Sequence, residues 1–226
     1  MPLLGPAAML LNFDVDPAAI DELADWHTRE HLRERLSIPG FLRCTRWIAL
    51  RGAPRYLILY EVAGLATLTS DAYLRRLNEP SDWTARLMPQ FRDMRRGLCS
   101  VTGSFGLGLG RVAALLRFKP PAAAESTLRE RLLREVLPLL PGKRGMGSVH
   151  LLEGAVIAPM THERRLRGAD AGVDWALLLT AYAEEALEAA VAGELGASSL
   201  GEPDASGVVA SIYRIDYWAA RDELEA

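Results

Sequence analysis

Apolar residues recur along this chain at two spacings, every second residue in short runs and every third or fourth residue in longer ones. The first spacing predicts strands and the second predicts amphipathic helices. Asp16 followed by Pro17 provides an N-cap and a first helical position, and Pro39-Gly40 ends the same helix. The first half of the chain is therefore predicted to have the order β-α-β-β-α-β. Its predicted elements cover residues 7–13, 16–36, 41–50, 55–62, 70–96 and 98–105.

The second predicted helix is interrupted by Pro80, and Ser81 is the expected N-cap of the piece that follows. Pro89 is expected to kink this piece. Such a piece needs one apolar face to bury against the rest of the unit. Its predicted apolar stripe consists of Trp83, Leu87, Phe91 and Met94.

After the glycine-rich segment 106–110, the same order of elements recurs at a spacing near 105 residues. A strand follows these glycines where a dinucleotide-binding fingerprint requires a helix, so they are interpreted as a linker. Segment 155–172 is interpreted as a lid or a disordered loop, and a Gly/Ser loop precedes the last strand. The predicted elements cover residues 111–118, 126–137, 147–153, 173–182, 184–195 and 208–218. We therefore expect two ferredoxin-like units, residues 1–105 carrying the site and residues 106–226 mainly structural.

Several predicted strands are apolar on both faces, including residues 56–60 and 175–179. The sheet of an isolated ferredoxin-like unit has one face in water, so these strands would leave a large apolar surface exposed. Two such units that pack sheet to sheet within one chain would cover it. The predicted fold is therefore α+β, an intrachain dimeric α+β barrel of two tandem β-α-β-β-α-β units.

The composition excludes several classes of protein. Half of the 226 residues are hydrophobic, and the formal net charge is −3 with both signs interspersed, so no basic stripe indicates nucleic-acid binding. No apolar run reaches the 18 residues of a membrane span, and the N-terminus does not resemble a secretory signal. Cys44 and Cys99 are expected to be free buried thiols. A cytoplasmic location is the simplest interpretation.

The first predicted helix carries titratable groups on its inward face. Ile20 and Leu23 begin this face, which continues through His27, Glu30 and His31. A helix that packs on a sheet through the apolar residues aims the polar ones at the same sheet. Such groups must be paired, hydrated or functional, because an unpaired buried polar group costs about 1–3 kcal/mol. A site is therefore predicted at this end of the helix.

The same residues carry a resemblance to a known family. The run 26–32, the element Ile38-Pro39-Gly40-Phe41 and the hairpin that ends at residues 56–61 resemble the dimeric α+β barrel superfamily, and most closely its EthD-like proteins, here as a tandem fusion. Glu30 and His31 match the family pattern, whereas His27 stands where the family has tyrosine. The resemblance covers the first 105 residues in detail and the remainder in topology only. It implies a barrel with a pocket between sheet and helices, and relatives that include cyclases, cofactor-free monooxygenases, isomerases and haem enzymes.

We expect His31 to act as general acid or base or to bind an anionic or phenolic oxygen, its charged form favoured by the helix C-terminus and by Glu30 or Glu34. The structural alternative is a histidine that caps the helix end or bonds a strand carbonyl. Glu30 either orients His31 or forms a surface ion pair. Tyrosine and arginine on the hairpin strands would steady an enolate or carboxylate. The candidate ligand-binding residues are His27, Asn12, Arg46, Tyr56, Tyr60 and Trp83.

Residues 27–31 also spell His-x-x-Glu-His, the inverted zinc-peptidase motif, but a further ligand in recognisable context is lacking. We therefore expect no metal and no cofactor, with a metal site on His27 and His31 as a minor alternative and a haem ligand at His150 as a weaker one. Two functions stay open: a cofactor-independent enzyme that acts on an aromatic or carbonyl compound, and a non-catalytic barrel that binds a ligand or partner. A homodimer is compatible with either.

Overall fold

The computed structural model describes residues 3–156, 158–168, 170–200 and 208–224. Most of the predicted Gly/Ser loop, residues 201–207, lies outside the described residues. The strands are β1 (Ala7–Val15), β2 (Phe41–Arg51), β3 (Tyr56–Val62), β4 (Phe91–Gly106), β5 (Val112–Phe118), β6 (Met146–Val156), β7 (Trp175–Ala181) and β8 (Val209–Ala220). The helices are α1 (Ile20–Trp26), α2 (Leu32–Ser37), α3 (Asp71–Asn78), α4 (Asp82–Leu87), α5 (Glu125–Arg131), α6 (His162–Arg167) and α7 (Glu184–Ala192). Two π-helical turns, His27–His31 and Leu132–Val136, follow α1 and α5 in the described chain.

The described strands close into one barrel in the order β1-β3-β2-β8-β5-β7-β6-β4. Each half contributes four neighbouring strands, and the antiparallel pairs β2–β8 and β4–β6 join the two halves at their edges. The interior is filled by apolar side chains from both halves, including Leu10, Leu57, Leu115 and Leu178. The α+β barrel predicted from the sequence is therefore confirmed. Edge pairing closes it, so the apolar inner face of each sheet is covered.

The helices pack outside the barrel, where each half buries its own apolar cluster between helix and sheet. Equivalent elements near the start of each half are separated by a constant number of residues. β1 begins at Ala7 and β5 at Val112, while the two π-helical turns begin at His27 and Leu132. This offset of 105 residues allows side chains of the two halves to be compared position by position.

Several local predictions are confirmed. Asp16 and Ser81 accept hydrogen bonds from the first turns of their helices, and β2 and β3 form the expected hairpin. Cys44 and Cys99 are buried free thiols. Within the described residues, no helix has both the length and the apolar character that a bilayer span requires.

Two local predictions were wrong. The predicted stripe placed Phe91 and Met94 on a helix, but β4 begins at Phe91, seven residues earlier than expected. Pro89 lies in a short 3-10 turn that ends the helical region, and its missing N–H group favours this break. Segment 155–172, predicted as a lid or a disordered loop, contains α6, so the disordered alternative was wrong for these residues. We call residues 158–168, which include this helix, the strap.

Candidate functional site

A cavity lies between the α1–α2 helix and the outer face of β1, β3 and β4, and the strap from the second half covers it. Its volume is about 30 Å³, which is room for about two water molecules. Most of its wall is apolar, with polar groups gathered on the helix, β3, β4 and the strap. The lining residues that matter below are Trp26, His27, His31, Arg35, Tyr60, Tyr73, Arg96, Thr161, Glu163 and Arg167.

The π-helical turn brings polar residues of the helix to this wall. The backbone N–H of Leu32 donates to the carbonyl of His27, five residues back, in place of the usual four. His27, His31 and Arg35 are all buried, with exposed fractions of 1%, 7% and 1%. Single π-helical turns of this kind occur frequently at functional sites.

The second half has an equivalent π-helical turn, followed by a 3-10 turn instead of an α-helix, and fills the equivalent positions with apolar residues. Leu132, Val136 and Leu140 occur 105 residues after His27, His31 and Arg35. Leu132 and Leu140 are fully buried in the core of that half. The π-helical turn therefore forms and packs with leucine and valine at these positions. The backbone does not require polar side chains at the positions of His27 and His31.

The two histidines of the cavity are neutral. His27 Nε2 lies 3.1 Å from the Tyr60 hydroxyl, and the His31 ring packs 4.1 Å from the Trp26 ring. Burial, together with nearby Arg35, holds the pKa of His31 well below its usual value, and burial with Arg46 and Arg35 does the same to the pKa of His27. Burial also raises the pKa of Tyr60, which stays protonated.

The expectation that His31 is charged was therefore wrong. The helix C-terminus and neighbouring carboxylates favour an imidazolium only where water or a close anion can stabilise it. His31 is enclosed, and after burial the largest influence on its pKa is the positive charge of Arg35, which lowers it.

Arg35 and the strap form a buried ion pair across the cavity. Arg35 Nη2 donates to Glu163 Oε1 at 2.7 Å and to Oε2 at 2.9 Å, and the two side chains have exposed fractions of 1% and 4%. Three buried nitrogens on the same wall have no hydrogen-bond partner among the described residues: His27 Nδ1, His31 Nδ1 and Arg35 Nη1. A bound molecule with an oxygen atom could satisfy them.

The structure places Glu30 away from the cavity. Its carboxylate accepts hydrogen bonds from Ser81 at 2.6 Å and Thr84 at 3.4 Å, so it ties the helix to α4. The geometry therefore does not support the predicted orientation of His31 by Glu30. Trp83 is also outside the wall, and its ring N–H donates to Glu22 at 3.0 Å.

The other predicted ligand-binding residues divide between the two faces of the sheet. Asn12 points into the barrel, where it donates to the Tyr56 carbonyl and the Tyr213 hydroxyl. Arg46 Nε donates to Asp216 Oδ2 at 2.6 Å. The Tyr56 ring stacks on Phe13 and does not itself line the cavity. Of the predicted residues, the structure brings His27, His31 and Tyr60 together.

The histidines of this chain provide few ligands for a metal ion or a haem iron. The His27 and His31 ring centroids are 5.8 Å apart, and no described residues form a cluster of three or more metal-binding side chains. The pair would therefore need a further ligand from elsewhere. His150 is buried on another wall of the barrel, with Ser104 and Ser148 hydroxyls 2.9 and 3.0 Å from its two ring nitrogens. It has no nitrogen free for an iron atom.

Sequence reasoning missed the charged residues of this site. Arg35 follows His31 by four residues, so the helical spacing was a usable signal. Arg96 and the strap residue Glu163 gave no such signal, because only the fold brings them to the helix.

No protein-family model matches the chain, and neither does any curated protein. Several solved structures do match it over nearly the whole length. An anthrone oxidase-like protein has a TM-score of 0.65 at 10% identity, over 98% of this chain and 96% of that one. A provisionally named monooxygenase of Fusobacterium nucleatum has 0.62 at 10% identity, over 96% of both chains.

A chlorite dismutase variant from Candidatus Nitrospira defluvii is more distant, with a TM-score of 0.52 at 12% identity, over 96% of this chain and 93% of that one. At such identities the likeness concerns the fold alone. The chain has the α+β barrel fold of these monooxygenase-like proteins.

Proposed function

We propose that this chain binds a small aromatic carbonyl compound with its carbonyl group at the helix–sheet cavity, and catalyses cofactor-independent proton transfer at the carbon beside the carbonyl. One observation carries the proposal. His27, His31 and Arg35 line a single cavity and each has a buried nitrogen without a hydrogen-bond partner among the described residues, whereas the equivalent turn of the second half holds leucine and valine. Each unpaired group costs about 1–3 kcal/mol, so their retention favours a bound partner.

His31 is the proposed base. Its neutral imidazole takes a proton from the carbon beside the carbonyl, the C–H electron pair forms a carbon–carbon double bond, and the carbonyl π electrons move to oxygen as an enolate. Arg35 Nη1 donates to that oxygen, a role the sequence had suggested for Arg46. Return of the proton to carbon restores the carbonyl. The Trp26 ring packs on the His31 ring, with centroids 4.1 Å apart, and holds the imidazole in position.

The fold supports this kind of site. Proteins with the same barrel are named as monooxygenase-like or oxidase-like, names that indicate action on small molecules. We do not extend their oxidation chemistry to this chain. The non-catalytic barrel is the competing function, and it predicts binding without turnover.

Exchange of carbon-bound hydrogen for deuterium tests the proposal. We expect the protein to accelerate exchange beside the carbonyl of acetophenone-type ketones in D₂O, followed by NMR. His31→Gln should slow this exchange about 100-fold, because general-base groups contribute about 10²–10⁴ in rate.

The matched control is His162→Gln, which removes an exposed histidine of the strap and should leave the rate unchanged. Bound ketone without accelerated exchange would overturn the catalytic proposal in favour of a binding barrel. Equal rates for wild type and His31→Gln would overturn the assignment of the base.

Other expectations from the sequence remain proposals. We propose an EthD-like fused pair with units at residues 1–105 and 106–226, supported by the constant 105-residue offset. The second unit is more than structural in this proposal, because its strap supplies Thr161, Glu163 and Arg167 to the cavity. A cytoplasmic location, a homodimer and the absence of a cofactor stay predictions.

A further inference from the structure

Arg96 lies at the junction of two cavities. One is the helix–sheet cavity that holds the histidines. The other is an outer groove of about 340 Å³ between β4, the end of β6 and the segment that follows the strap. Among the described residues, Arg96 is the one that lines both. The groove offers the space for an aromatic compound that the 30 Å³ inner cavity lacks.

The charges around this junction are unbalanced. Arg96 is 7% exposed, and its Nη2 donates to the Tyr73 hydroxyl at 2.9 Å. Among the described residues no carboxylate forms an ion pair with it. Arg164 and Arg167 of the strap both pair with Asp170, at 3.6 and 2.8 Å.

Glu163 does not correct this imbalance, because it is already engaged by Arg35. Among the described residues, the two cavities together are lined by four guanidinium groups (Arg35, Arg96, Arg164 and Arg167) and three carboxylates (Glu163, Asp170 and Asp174). Asp174 is itself paired with Lys119, so the junction keeps a positive excess. A buried positive excess of this kind favours an anionic ligand.

We propose that the ligand carries a carboxylate, and that Arg96 binds this group where the outer groove meets the helix–sheet cavity. The inference rests on the proposed function and specifies the substrate class of the same site. A guanidinium can hold a carboxylate through two parallel hydrogen bonds, and Arg96 uses one nitrogen on Tyr73. The ligand then lies with its charged end at the groove and its carbonyl toward Arg35 and His31.

Binding of benzoate and benzamide tests the inference, because the two are similar in shape and differ in charge. We expect calorimetry to show benzoate binding at least tenfold more tightly than benzamide. Arg96→Gln should reduce this ratio to about one. Arg96→Lys should keep a preference for benzoate, since it retains the charge, and it provides a readout if Arg96→Gln folds poorly.

Arg95→Gln is the matched control. This substitution removes the same charge from the neighbouring residue of β4. Arg95 is exposed, and it is paired across the sheet with Asn12, which faces the barrel interior. It should leave the ratio unchanged. A ratio near one in the wild type, or a ratio unchanged by Arg96→Gln, would overturn the inference.

Different results would contradict the proton transfer by His31 and the carboxylate binding by Arg96. Benzoate preference needs no turnover, so it persists in His31→Gln if Arg96 binds the carboxylate. Loss of hydrogen exchange with intact benzoate preference would overturn the proton-transfer step alone.

Discussion

Between pH 6.5 and pH 5 the free energy of unfolding is expected to fall by about 5 kcal/mol. His27, His31 and His150 are buried and neutral in the folded chain, and burial lowers the pKa of His150 to about 3. In the unfolded chain each histidine takes up a proton below its ordinary pKa of about 6.5. The unfolded state therefore binds more protons in this window, and stability is lost as pH falls. Each histidine contributes about 1.4 kcal/mol per pH unit.

Urea unfolding at fixed pH values measures this slope, over the pH range in which the chain still folds. The matched variant is His27→Leu with His31→Val, which installs the residues that the second half carries at Leu132 and Val136. Its slope should fall from about 4 to about 1.4 kcal/mol per pH unit, because His150 alone of the three remains. The carboxylates are common to both proteins, so the difference between the two slopes reports the two cavity histidines. A variant with the wild-type slope would show that the cavity histidines are not held neutral by folding.

Replacing Glu163 with leucine is expected to lower the free energy of unfolding by about 3–5 kcal/mol. The substitution leaves the Arg35 guanidinium buried without its anion, at 1% exposure. A charge cannot be left in such a place without either unfolding the strap or drawing water into the cavity. Chemical denaturation of wild type and variant at neutral pH measures the loss.

Two controls separate this effect from a general loss of acidic residues. Glu130→Leu removes the carboxylate of an exposed helical pair with Arg134 and should change stability by less than about 1 kcal/mol. Arg35→Met combined with Glu163→Leu removes both charges and should recover most of the loss. If the double variant is as unstable as Glu163→Leu, the strap is held by packing and not by this ion pair.

The polar groups of the cavity explain why the two halves differ despite their shared architecture. The second half uses leucine and valine at the equivalent helix positions and gains a plain apolar core. The first half carries unpartnered nitrogens that lower its stability. Natural proteins accept such costs mainly at functional sites. This difference between the halves supports the proposed site in the first half.

The sequence by itself determined the order of elements, the helix starts at Asp16 and Ser81, the repeat near 105 residues and the helix that carries His27 and His31. These features follow from side-chain periodicity and from local capping, which act between residues close in the chain. The tertiary structure alone decided the edge pairing that closes the barrel, the contact of Glu163 with Arg35 across 128 residues and the shared position of Arg96. It also decided the charge of His31, because a pKa depends on burial and on neighbours that distant segments supply.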